Sequence, residues 1–145
     1  MRVLMAIDDS KFSEALCRAM VAQFRPETTE VQVLHILQPI SPSAPPQMAA
    51  TYAPELEDQG QQARVLVERI SHELRSKGFR VQAAVEIGDI REKIIDAADE
   101  WRADLIVVGS HGQRGIQRFL LGSVAESVAR HARCSVLIVR APQSA

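Results

Sequence analysis

Glycines at positions 109, 112, 115 and 122 stand between the apolar run Leu105 to Val108 and a segment of helical periodicity, in the stretch VVGSHGQRGIQRFLLGSVAES. Glycine admits positive φ angles and lets another group approach the main chain closely, and both properties serve phosphate binding. The first turn of a helix leaves about four N–H groups without internal partners and carries roughly +0.5 of a charge from its aligned peptide dipoles. A helix beginning at Ser123 would therefore offer the N–H groups of Ser123 and Val124, with the Ser123 hydroxyl, to phosphate oxygens, provided residue 122 has no side chain in the way. Gly122 meets that need. Gly109 would let a ribose and first phosphate press against the strand, and Gly112 would turn its N–H toward the phosphates. His111, Arg114 and Arg118 would add positive charge. The plain alternative is a turn after a buried strand, with Ser123 as an ordinary N-cap.

Two familiar nucleotide motifs do not fit. A P-loop needs a lysine after its last glycine, yet Gly122 is followed directly by Ser123 and no lysine follows Lys93. The dinucleotide fingerprint GxGxxG should follow the first strand, and AIDDSKFSE contains no glycine.

The elements that would position this loop can be read from periodicity. Five β-branched runs, Val3 to Ile7, Val31 to Leu37, Val81 to Ile87, Leu105 to Val108 and Val136 to Val139, read as strands. Between them one helical face each is marked by Leu16, Met20 and Phe24, by Ala63, Val67, Ile70 and Leu74, by Ile90, Ile94, Ala98 and Trp101, and by Val124, Val128 and Ala132. Strands alternating with helices predict an α/β fold, a doubly wound five-stranded parallel sheet with four helices, because each parallel connection needs a crossover. Ligands of such sheets sit beyond the carboxyl ends of the strands, at the point where the winding reverses. Strand one ends on Asp8 and strand four on Gly109, so a strand order that makes them neighbours would bring acid and glycine loop together. Periodicity leaves that order open.

A chain of 145 residues fits a single domain spanning 1–145. The stretch Gln38 to Pro54 carries five of the seven prolines and no charge, and reads as a long flexible loop between strand two and helix two. With 17 basic and 18 acidic residues the net charge is -1, so no global field draws the chain to nucleic acid or to a membrane surface. The charge is uneven, however: from Leu105 onward five arginines face the single Glu126, which favours an anion at that end. No apolar run approaches the ~18 residues of a membrane span. Cys17 and Cys134 have neither disulfide-framework nor zinc spacing, and a reducing, cytoplasmic setting follows. No metal site on protein side chains is expected. His35 and His72 read as packed or solvated residues.

Gly109, two residues, Gly112, nine residues, then Gly122-Ser123 resembles the G-x2-G-x9-G-[ST] signature of the ATP-binding branch of the universal stress protein family. Five landmarks carry the resemblance along almost the whole chain: VLMAIDDS at the start, VLHIL, Gly88-Asp89, ADLIVVGSHG and the closing CSVLIVR. The resemblance implies a Rossmann-like sheet of order 3-2-1-4-5, with strands one and four as neighbours. It implies ATP as ligand, held with Mg²⁺, with the adenine against Ala6, Ile7 and Ile36 and the ribose beside Asp8. Asp9, following Asp8, departs from the glycine or aromatic residue frequent in the family, and adds a carboxylate near the phosphates. Strand five, apolar on both faces and at a sheet edge in that order, is expected to pair two copies through Val136 to Val139 as a homodimer. The resulting expectation is a cytoplasmic, nucleotide-dependent regulator of stress response. The alternatives are a slow ATPase or adenylyl-transfer enzyme and a nucleotide-free dimeric scaffold of the same family. No catalytic residue is assigned.

Overall fold

The computed structural model describes residues 1–8, 12–38, 49–111 and 121–140, with side chains from residue 56 onward in the second helix. The chain runs β1 (Arg2–Ile7), α1 (Phe12–Gln23), β2 (Glu30–Leu37), α2 (Ala49–Ser76), β3 (Arg80–Ile87), α3 (Ile90–Trp101), β4 (Leu105–Gly109), α4 (Ser123–His131) and β5 (Ser135–Val139), with one 3₁₀ turn at Pro26–Thr28. All four strand pairings are parallel and the order is β3-β2-β1-β4-β5. The α/β class, the four helices and the implied strand order are all present.

The alternation of side chains along each strand splits the core into two layers. Val3, Met5 and Ile7 of β1 join Val31 and Val33 of β2 and Val107 of β4 under α1 and α2. Leu4 joins Leu34, Ile36, Ile106 and Val108 under α3 and α4. Successive strand residues point to opposite faces, so a strand covered on both sides must be apolar at every position. That is why β1 and β4 read as continuous apolar runs. β5 is bordered by β4 alone and is only half-buried along most of its length.

Local chemistry fixes the helix ends. Asp89 caps α3 by accepting the Glu92 N–H at 3.1 Å, and Arg102, at φ 55°, closes its other end in the left-handed region. Gly78, at φ 96°, ends α2, with its N–H on the Arg75 carbonyl and the Phe79 N–H reaching back to Leu74. At the amino-terminal edge of the sheet, the Arg2 N–H bonds the Asp104 carboxylate at 2.8 Å, and the Arg2 guanidinium lies 5.6 Å from the centre of the Trp101 ring.

The segment expected as a loop over 38–54 is in part helical. α2 starts at Ala49, which places Pro54 inside it, while residues 39–48 lie outside the described residues. Pro54 is the sixth residue of α2, past the first turn whose N–H groups lack intrahelical acceptors, so having no N–H it leaves one early carbonyl of the helix without its usual donor. No helix among the described residues is long and apolar enough to cross a membrane.

Cys17 on α1 is 2% exposed. Burial, and next the charge and hydrogen bond of Glu73 across on α2, push its thiol up to about 11 from 9.0. A folded pKa above the unfolded one means that the stabilising contribution is complete below about pH 9 and is lost as pH rises toward 11. Cys17 should therefore resist a thiol-specific disulfide reagent at pH 8 until the chain is unfolded. Prompt stoichiometric labelling of Cys17 in the native protein, mapped by mass spectrometry, would contradict this burial.

Candidate functional site at the β1–β4 crevice

Sheet winding reverses between β1 and β4. From β1 the chain crosses to β2 and β3 on one side, and then α3 carries it back to β4 on the other. The β1–β4 register ends at Met5↔Val107, whereas β1 stays paired with β2 through Ile7↔His35 and β4 with β5 through Gly109↔Val139. Ala6, Ile7, Val108 and Gly109 thus lie beyond the paired part of the central ladder. The sheet opens there into a crevice at the place where doubly wound folds bind ligands.

One wall is the end of β1. Ala6 packs with the α3/α4 layer and Ile36, 7% exposed, belongs to the same layer, whereas the Ile7 side chain turns into the α1/α2 layer. Of the three expected adenine contacts, two therefore share a face, and Ile7 has only its main chain near them. Its carbonyl is already engaged by His35, whose Nδ1 lies 2.9 Å away and must donate to it. Asp8 is half-buried, and its carbonyl accepts the hydroxyl of the buried Ser13 in the first turn of α1.

The opposite wall is the end of β4 and the start of α4. A Cβ added to Gly109 would sit 3.4 Å from the His111 carbonyl and 3.5 Å from Phe12 Cβ, so the protein's own packing there is close without overlap. Gly122 is the N-cap of α4, at φ -61° and ψ 155°, a conformation open to any residue. Its carbonyl accepts the Glu126 N–H at 3.0 Å, and its own N–H donates to the Ser110 carbonyl at 2.6 Å. The N–H groups of Ser123, Val124 and Ala125 consequently precede the first intrahelical bond and have no acceptor among the described residues. At the far end of α4, Arg130 and His131 occupy the last turn, where positive charge complements the helix dipole.

The sequence pointed to Ala6, Ile7, Asp8, Ile36, Gly109, His111, Gly122, Ser123 and Val124, and the structure places these at the carboxyl ends of β1, β2 and β4 and at the start of α4. Gly112 and Arg114 lie outside the described residues, as do Asp9 and Arg118. Two residues escaped the sequence reading. Ser110 is 3% exposed and bonded through its N–H, carbonyl and hydroxyl, and Phe12 meets the His111 ring with centroids 6.4 Å apart. The available signal for Ser110 was a small polar residue directly after a wholly apolar strand.

The Universal stress protein family matches residues 1–140. Universal stress protein Sll1388 of Synechocystis sp. is 29% identical over 149 residues, with 96% of this chain and 97% of that protein covered. The solved structure of protein MJ0577, from Methanocaldococcus jannaschii, superposes with a TM-score of 0.84 at 27% identity, covering 99% of this chain and 97% of that one. A universal stress protein solved in complex with cAMP gives a TM-score of 0.70 at 25% identity, covering 96% of each chain. With its strand order, its crevice and a match along nearly its full length, the chain belongs to the universal stress protein family.

Proposed function

We propose that the protein is an ATP-binding regulator whose nucleotide lies across the β1–β4 crevice. The observation that carries this reading is the start of α4: three amides without acceptors among the described residues, behind a cap residue that has no side chain, at the mouth of the crevice. Such amides suit an anion, since their donors converge and the helix dipole adds to them. The cAMP complex of a relative supports an adenine nucleotide as the ligand class.

In this arrangement Ala6 and Ile36 give the base an apolar seat, and Asp8 accepts from the ribose hydroxyls. The main chain of Gly109 lies beside the sugar, while the amides of Ser123 and Val124 donate to phosphate oxygens. His111 adds a donor, and Gly112 and Arg114 extend the cradle along the loop. Mg²⁺ would reduce the repulsion between the phosphates and the carboxylates of Asp8 and Asp9, so binding should tighten when the ion is present. The half-buried, one-sided β5 supports a second element of the proposal, a homodimer through Val136 to Val139. What the nucleotide regulates would be a partner surface.

Calorimetric titration of the purified protein with ATP, with and without Mg²⁺, tests the reading. Asp8→Ala should weaken ATP about tenfold, the scale of losing one hydrogen bond to a charged acceptor. Unchanged or tighter binding by Asp8→Ala would remove Asp8 from the ribose corner.

A further inference from the structure

Ser110 connects three elements. Its N–H donates to the Val139 carbonyl at 2.8 Å at the end of β5, and its carbonyl accepts from Gly122 at 2.6 Å at the cap of α4. Its hydroxyl lies 3.2 Å from Nδ1 of His111 and has no other partner among the described residues. Across the same ring, His111 Nε2 is buried and has no hydrogen-bond partner among the described residues.

The two neutral forms of the imidazole satisfy this geometry unequally. With the proton on Nδ1, the ring would donate to the serine oxygen. The serine's own hydrogen would then lack an acceptor, and the Nε2 lone pair would lack a donor, leaving two buried groups unsatisfied. With the proton on Nε2, the serine hydroxyl donates to Nδ1 and only the Nε2–H remains unsatisfied. Unsatisfied buried polar groups are costly, so the form with one is favoured over the form with two.

We infer that Ser110 is a positioning residue that fixes His111 as the Nε2–H tautomer, a donor kept for a phosphate oxygen of the bound nucleotide. The inference rests on the nucleotide reading above. A phosphate, rather than the sugar or base, is the match because Ser110 also holds the cap of α4, whose first amides, without acceptors among the described residues, are donors as well. The ligand part that meets this corner must supply acceptors only. One buried serine thereby sets both the imidazole and the helix start.

Ring ¹⁵N spectra of the full chain at about pH 8, where an ordinary imidazole is neutral, read the tautomer directly. The expected spectrum has the His111 proton on Nε2, and ATP, but not adenosine, shifts that resonance. Ser110→Ala should weaken ATP about 5- to 10-fold, the loss of one oriented hydrogen bond, and leave adenosine within about twofold. Ser110→Thr, which keeps the hydroxyl, should restore ATP binding. His111→Gln, with an amide near the Nε2 position, should bind ATP more tightly than His111→Asn, whose amide mimics Nδ1. These two variants and the wild-type spectrum decide the matter even if Ser110→Ala folds poorly. A proton on Nδ1 in the wild type, with ATP still bound, would overturn this inference and leave the nucleotide reading standing. Failure of ATP and adenosine alike to bind would overturn the nucleotide reading and the phosphate assignment with it, whatever the spectrum.

Discussion

Gly122→Val should abolish measurable ATP binding while the protein stays folded. The two halves of that expectation have separate physical origins. Residue 122 sits at φ -61° and ψ 155°, where valine is at ease, so no backbone strain follows. Valine is a poorer N-cap than glycine, which costs about 1 kcal/mol of stability. For the ligand the change is far larger, because the branched side chain stands in front of the Ser123 and Val124 amides. Losing two charge-assisted hydrogen bonds of about 1.5 kcal/mol each lowers affinity by roughly 100-fold or more. Calorimetry for binding and a thermal melt for the fold measure the two halves independently. A folded Gly122→Val protein that still binds ATP as the wild type does would show that the phosphates dock elsewhere.

Leu4→Ala should do the reverse and strike the fold before the site. Leu4 is 0% exposed at the middle of β1, the central strand, packed in the layer that contains Ile94, Ile106 and Val128. Truncation removes three carbons' worth of burial and leaves a cavity that a strand paired on both sides cannot collapse to fill. The expected loss is about 2–5 kcal/mol. For a chain of this size that lowers the melting temperature by about 5–15 °C. Denaturant unfolding with an unchanged slope and a lower midpoint would bear this out. A loss below about 1 kcal/mol would mean that the two-layer core described above is not the structural centre of the protein.

Most of the architecture was legible in the residues because the physics that selects it is local. Strands covered on both faces must be apolar throughout, and Val3 to Ile7 and Leu105 to Val108 display that plainly. The strand order was not legible from periodicity. Whether β4 joins β1 or the outside of β3 depends on how whole helices pack, and no single residue records it; the family resemblance supplied that step. The start of α2 at Ala49 was hidden by Pro54, since a proline-rich, uncharged stretch argues for a loop and a proline at the sixth position of a helix forfeits an intrahelical hydrogen bond.

At the site, the glycines could be picked out by their spacing from Gly109 to Gly122, and Asp8 by its place at the end of the first strand. Ile7 was expected among the adenine contacts, yet the alternation along β1 sends its side chain to the opposite layer from Ala6 and Ile36. Ser110 was invisible for a different reason. Its importance comes from three partners at sequence separations of 1, 12 and 29 residues, His111, Gly122 and Val139, which only the folded chain brings together.

The most direct test of the account is to denature freshly purified protein in acid and chromatograph the released small molecules. The crevice described here predicts an adenine nucleotide in the wild-type extract and its absence from the Gly122→Val extract. An empty wild-type extract, joined by no rise in melting temperature on adding ATP and Mg²⁺, would contradict the claim that this crevice is a nucleotide site.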